Sequence, residues 1–216
     1  MEYINKRISE PRKLVKFRKK YKLDEKIRLG KEIKFNHLDQ TIVQHLRNIL
    51  LEDQGYICCY CQRRIPEKKL PKSKIEHLLC QENNKDKVFD FRNLFIACNG
   101  KIGEIATCDT SKDSNELEGI DLLDLGLSEK IKYTKKGFIY STVDLIDKDI
   151  EVLKLNDQNL MKTREAIYGS IKFIKNKIKS RGDFNRQIAK VVLEWESKDY
   201  EGKYKEYKRA GLYYLK

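Results

Sequence analysis

Apolar residues recur along this chain with two different periods, and the change of period divides it. Ile42, Val43, Leu46, Ile49 and Leu50 fall on one face of a 3.6-residue repeat. With Asn36 as N-cap, Asp39 in the third helical position and Gly55 as the stop, the spacing predicts a helix over about 37–54. Upstream, residues 1–35 alternate basic clusters (Lys6-Arg7, Arg12-Lys13, Arg18-Lys19-Lys20) with single apolar residues such as Leu14, Val15, Phe17 and Leu23. That is the pattern of a basic arm partly ordered by docking. From Tyr56 to Asn115 the repeat gives way to short apolar runs, Ile75 to Leu79 and Leu94 to Ala97, which read as strands between loops.

The acidic stretch 116–130 carries Leu122, Leu123, Leu125 and Leu127, which are expected to pack, and Phe138 to Val143 reads as a short strand. Two helical patterns follow. Ile167, Ile171, Ile174 and Ile178 form the first; Phe184, Ile188, Val191, Val192 and Trp195 form the second, after a break at Ser180-Arg-Gly-Asp183. Together they predict a helical cap. Tyr200, Tyr204 and Tyr207 continue at similar spacing with interleaved Lys, expected to pack rather than to form a stacking face for bases. The fold class expected is α+β, in three segments: a basic arm and helix at 1–55, a central module at 56–115 and a mostly helical region at 116–216.

Charge narrows the class of partner. Of 216 residues 37% are charged, and the net charge is +13, which points to a polyanion and above all to nucleic acid. No window approaches the roughly 20 apolar residues of a membrane span, and MEYINKRISEPRKLVKF has no apolar run of signal-peptide length, so no membrane association and a cytoplasmic location are expected. In that compartment six cysteines point to metal ligation before disulfides.

Cys58 and Cys61 form a C-x-x-C, a spacing that lets two thiolates from one turn reach a single tetrahedral ion. Cys98 and Cys108 are the candidates for the second pair, giving a structural zinc site. Beside this stands the reading of all six cysteines as reduced core residues. Cys59 and Cys80 are left over, with Cys80 a less favoured substitute for Cys98. Between the pairs lies Ile75-Glu76-His77-Leu78-Leu79. Alternation puts Glu76 and His77 on opposite faces of a strand, so both serve one site only at a strand end. His37 and His45 have no acidic or cysteine company and read as structural. Asn93-Leu94, Cys98 and Cys108-Asp109-Thr110-Ser111-Lys112 follow in order.

This order, C-x-x-C, acid-His, Asn-Leu, Cys, then Cys-Asp-x-x-Lys, resembles the HNH or ββα-metal endonucleases. The stretches G-Y-I-C-C-Y-C, I-E-H, F-R-N-L-F-I-A-C-N-G and C-D-x-x-K are most similar to the PtuB-type nucleases of Septu and retron-associated anti-phage defence systems. The resemblance implies a zinc-stapled ββα-metal core with helical additions and metal-dependent hydrolysis of phosphodiester bonds. His77 would be the general base, Asn93 would hold the active-site loop, and Glu76 and Asp109 would hold a catalytic Mg²⁺ or Mn²⁺. Asp109 stands where many members have Asn or His, and Cys80 where a Pro often follows the acid-His pair. Implied partners are a PtuA-like ATPase and, in retron systems, a reverse transcriptase with its msDNA. The chain itself carries no G-x-x-x-x-G-K-[ST] loop.

Lys112, one helical turn beyond Asp109, and the basic runs Arg63-Arg64, Lys68-Lys69 and Lys72-Ser-Lys74 are expected to hold substrate phosphates, which positions a strand without reading its sequence. DNA is the expected substrate, with RNA, including tRNA, open. A non-catalytic zinc-ribbon protein that binds nucleic acid explains the cysteines and charge but not the placing of Glu76-His77, Asn93 and Asp109. A toxin-like interaction protein released from a complex is a further alternative.

Overall fold

The structure is a computed structural model that describes residues 1–29, 31, 34–66, 73–102, 104–179 and 183–216. The Lys68-Lys69 pair, Lys72 and the first three residues of the Ser180-Arg-Gly-Asp183 break lie outside the described residues. The basic arm contains helix α1 (Arg12–Lys20), which buries Leu14 and Phe17, and a short α2 (Leu23–Arg28). Helix α3 (Gln40–Asp53) buries Leu46, Ile49 and Leu50 of the predicted face but starts later than expected. Its cap is Asp39, whose carboxylate accepts from the Thr41 amide at 2.7 Å, whereas Asn36 lies in a separate 3₁₀ turn, Phe35–His37. Leu38, extended between the two, prevents them from fusing into one helix.

Strand β1 (Ser73–His77) pairs antiparallel with β2 (Leu94–Cys98), with Glu76 opposite Phe95 and His77 opposite Leu94. A tight pair, β3 (Lys101–Ile102) and β4 (Ile105–Ala106), leads into helix α4 (Cys108–Lys112), which packs on β2. After α5 (Leu127–Lys130), a third pair joins β5 (Ile131–Tyr133) to β6 (Ile139–Ser141). The rest is helical: α6 (Asp144–Val152), α7 (Gln158–Lys179), α8 (Phe184–Glu196) and α9 (Lys208–Leu215), with α9 seated against α7, α8 and β5. The chain is therefore α+β, built among the described residues on two-stranded sheets. None of its described helices is long and apolar enough to cross a membrane.

Every residue of β2 is buried, as expected of a strand covered on both faces, here by α3 and α4. The core around it runs from Met1 to Ala210, so all three sequence segments share it. A smaller cluster of Ile171, Leu212 and Leu215, packed with Ile188, Val191, Val192 and Trp195, makes the expected helical cap. Tyr207 is buried and the Lys208 ammonium sits 3.9 Å over the Tyr204 ring, leaving only Tyr200 of the three tyrosines fully exposed. Tyr204 and Tyr207 pack, as expected, and Tyr200 does not. In the acidic stretch Leu122 and Leu127 are buried, but Leu125 is 75% exposed.

One carboxylate organises the turn before α5. Asp149 of α6, itself buried, accepts from the amides of Glu118 (3.1 Å), Gly119 (2.8 Å) and Ile120 (2.8 Å). Asp149→Ala would orphan these donors together, and a loss of about 3 kcal/mol is expected. Urea unfolding checks it: the midpoint should fall with an unchanged slope.

Candidate metal centre and the adjoining acid-histidine cluster

The C-x-x-C turn is shaped by its own backbone and then pinned to the sheet. Cys58 N donates to Arg63 O at 2.9 Å, Gln62 N donates to Cys58 O at 3.0 Å, and Gln62 takes a positive φ of 62° to close the turn. Cys59 N donates to Ile96 O of β2 at 3.1 Å. Gln54, just past α3, completes the attachment: its amide nitrogen donates to Ile57 O and Ile96 O, and its carbonyl accepts from Ile96 N at 2.8 Å. Gln54 thus pairs with β2 as a neighbouring strand would.

Cys98 ends β2 and Cys108 begins α4, so strand, helix and turn bring four cysteines together. The sulfurs of Cys58, Cys61, Cys98 and Cys108 all lie within 4.8 Å of one another, and all four residues are buried. Cys61 Sγ and Cys98 Sγ are 3.9 Å apart. A tetrahedral ion with metal–sulfur bonds of about 2.3 Å separates its sulfurs by about 3.8 Å, so the group could hold a metal such as zinc. Burial pushes the Cys58 thiol up, but hydrogen bonds from the surrounding thiols outweigh it and bring Cys58 well below its ordinary value. A thiolate is the form a metal takes. Cys59, also buried, is pushed well above its ordinary value, first by burial, and lies outside the group, as does Cys80.

The loop between Cys98 and Cys108 depends on Gly100. Its φ is +66°, and a Cβ there would stand 2.3 Å from Thr110 Oγ1 and 2.5 Å from Thr107 O. Gly100→Ala is therefore expected to cost more than about 1 kcal/mol and to weaken metal binding. Competition with a chromophoric chelator checks this.

Beside the cysteines lies a buried cluster of charges. Glu76 of β1 is 2% exposed; its Oε1 accepts from the Tyr60 hydroxyl at 2.7 Å and pairs with Lys112 Nζ at 2.9 Å. The carboxyl of Asp109, on α4, pairs with Lys74 Nζ at 3.0 Å and lies near enough to Glu76 for each to shift the other. Burial, then the neighbouring Asp109, raise Glu76 to about 8 against the opposing pull of Lys112 and Tyr60. Burial also raises Asp109, but the neighbouring Glu76 and Lys74 prevail and hold it below the usual carboxylate range.

His77 is the last residue of β1 and turns the other way from Glu76, as alternation requires. Its Nε2 is 3.0 Å from Val88 O, and Phe35 meets its ring edge-on at a centroid distance of 4.8 Å. A carbonyl can only accept, so Nε2 carries the proton and Nδ1 the lone pair. Burial pushes the imidazole down to about 4, so it is neutral at pH 7. Asn93 braces the loop beyond: its Oδ1 accepts from Leu79 N at 2.8 Å and its Nδ2 donates to Leu79 O and Lys87 O, both at 3.1 Å. A groove of about 520 Å³ is lined by Phe35 and Val88, the two residues that contact the His77 ring, with Lys34, Asn36, Gln81, Glu82 and Lys85; His77 itself does not line it.

The expected phosphate-binding residues are placed differently. Lys112 is 1% exposed, and its ammonium is spent on Glu76 and on His77 O at 2.9 Å. Arg64 clamps backbone, donating to the carbonyls of Gly55 and Tyr204. Arg63 lies 3.5 Å from Cys98 Sγ and from Lys101 O, beside the cysteine group. Lys74 is about half exposed but engaged by Asp109 and by Thr110 Oγ1. For Lys112 the expectation is corrected: a buried carboxylate and a buried carbonyl inside the chain claim its charge. Tyr60, Gln54 and Phe35 were not anticipated. Only Tyr60 left a trace in the sequence, as the aromatic residue inside C-C-Y-C.

No family model matches the chain, and no curated protein matches it either.

Proposed function

We propose that the chain is a metal-dependent nuclease that hydrolyses phosphodiester bonds, with the four cysteines holding a structural zinc ion. The observation that carries the reading is the buried pairing of Glu76 of β1 with Lys112 of α4 at 2.9 Å, which brings Glu76 near Asp109 of the same helix, at the end of the strand that His77 closes. Two neighbouring carboxyls, one of them raised to about 8, favour a proton or a cation between them. Their hard oxygen donors fit Mg²⁺ or Mn²⁺. When bound, that ion would neutralise the charge that develops on the phosphoryl oxygens.

The other roles belong to the chain's own groups. Neutral His77, with its proton fixed on Nε2 by Val88 O, offers Nδ1 to take a proton from water. A phosphodiester beside the ring adds negative charge and raises the imidazole again toward a useful basicity. Asn93 holds the 78–88 loop on which Val88 sits. The resemblance of motifs carries with it a place in anti-phage defence beside an ATPase and, in a retron, a reverse transcriptase with msDNA. A non-catalytic zinc-ribbon protein is favoured by one observation: Glu76 and Asp109 each already have a lysine partner, at 2.9 and 3.0 Å.

Incubation of wild type and His77→Ala with plasmid DNA and with total tRNA, with Mg²⁺, with Mn²⁺ or without added ion, separates the two. Metal-dependent cleavage that falls about 10²–10⁴-fold in His77→Ala is expected. Absence of cleavage in every arm, with the partner ATPase also supplied, would leave the zinc-ribbon reading.

A further inference from the structure

With Lys112 buried, a phosphate backbone has to be met by other cations. Among the described residues α1 presents the clearest set. Arg12, Lys13, Lys16, Lys19 and Lys20 are all exposed, α1 contains no acidic residue, and Arg12, Lys13, Lys16 and Lys19 form no ion pair among the described residues. At 100° per residue Arg12, Lys16 and Lys19 stack in one stripe, nearly opposite the buried Leu14 and Phe17. Like charges at this spacing destabilise a helix by about 0.2–0.5 kcal/mol per pair. The macrodipole explains Lys19 and Lys20 in the last turn, but not Arg12 and Lys13 in the first, where cations are disfavoured. The Glu10 carboxylate before α1 is taken by Arg18 at 2.6 Å.

The helix is also fixed in relation to His77. Phe17 packs on Phe89 at 5.9 Å, Phe89 stacks on Phe35 at 6.1 Å, and Phe35 meets His77 at 4.8 Å. Arg18 locks the same wall by donating to Phe89 O at 3.2 Å. The stripe stands about one helix diameter, roughly 10 Å, outside this wall. At about 3.4 Å of axis per phosphate on one strand, that is about three nucleotides.

We propose that the exposed face of α1 is a docking surface for the phosphate backbone of nucleic acid, placing the strand so that it runs toward His77 into the groove lined by Phe35 and Val88. The placement at His77 rests on the nuclease reading; the binding does not.

The test uses the full chain in a His77→Ala background, without added divalent ion, and fluorescein-labelled duplex DNA and RNA of one sequence as probes. Arg12→Gln/Lys16→Gln/Lys19→Gln keeps good helix formers at exposed positions, and its melting temperature and zinc content should match the parent. Its Kd is expected to rise at least about 10-fold, and the slope of log K against log salt to fall by about 2–3. Lys162→Gln/Lys172→Gln/Lys190→Gln on α7 and α8 removes the same charge and should leave binding near the parent. Equal weakening by both triples, or binding of phosphatidylserine vesicles without binding of either probe, overturns the proposal. Binding that depends on α1, with no cleavage by wild type under any metal, keeps the docking surface and removes the nuclease. Cleavage with unchanged binding in the α1 triple does the reverse.

Discussion

Stripping the chain with a strong zinc chelator is expected to unfold its central module, and Cys108→Ser to come close to doing so. The four sulfurs come from a turn, a strand end and a helix start, and all are buried within 4.8 Å of one another. Without an ion, thiols crowded at that distance have each other as partners and, at Cys98, the Arg63 guanidinium at 3.5 Å. Structural zinc contributes about 10–16 kcal/mol in small sites, as much as the whole stability of an ordinary domain. The measurement is metal content by mass spectrometry beside a circular-dichroism melt: one ion per chain, and a metal-free sample with no cooperative transition. A metal-free chain that melts within a few degrees of the untreated one would assign the cysteines to ordinary core packing.

The second large effect is expected at Lys112. Its ammonium is buried between Glu76 Oε1 and His77 O, both at 2.9 Å. Lys112→Met keeps the length of the side chain but leaves Glu76 facing Asp109 without its cation. Measured at about pH 9, above the value of about 8 to which Glu76 is raised, removing one partner of a buried pair costs about 3–5 kcal/mol, because the remaining charge has no solvent to turn to. Glu76→Gln in the same chain takes that charge away, so the double variant should be more stable than the sum of the two single losses predicts, by about 1–3 kcal/mol. Additive losses would mean that Lys112 supports the fold only through packing and its bond to His77 O.

Where a pattern has one physical cause, the sequence was a good guide. The 3.6-residue repeats of α3, α7 and α8 arise from one-sided burial, and those helices stand where the apolar residues place them. The short apolar runs became β1 and β2, and the cysteine spacing anticipated a cluster that needs the whole tertiary fold to form. The site was harder to read because charge does not announce its direction. Lys112 looked like a phosphate contact, but it lies four residues after the buried Cys108 on α4, and positions i and i+4 share a helix face. That spacing already pointed it inward. Arg64 gave no such sign, since its carbonyl partners belong to residues brought near only by folding. Asn36 and Asp39 are equally good caps by type, and the extended Leu38 decided between them.

The clamp made by Arg64 bears on the order of events during synthesis. Its guanidinium and amide reach Tyr204 O and Glu206, the latter 142 residues farther along the chain, and Tyr207 N donates to Gln62 O within the cysteine turn. At about 5–20 residues per second a ribosome needs about 7–30 s to supply those partners. Until then the cysteine turn lacks its outer support, so the nascent chain completes this half of the molecule only after Tyr207 has been made.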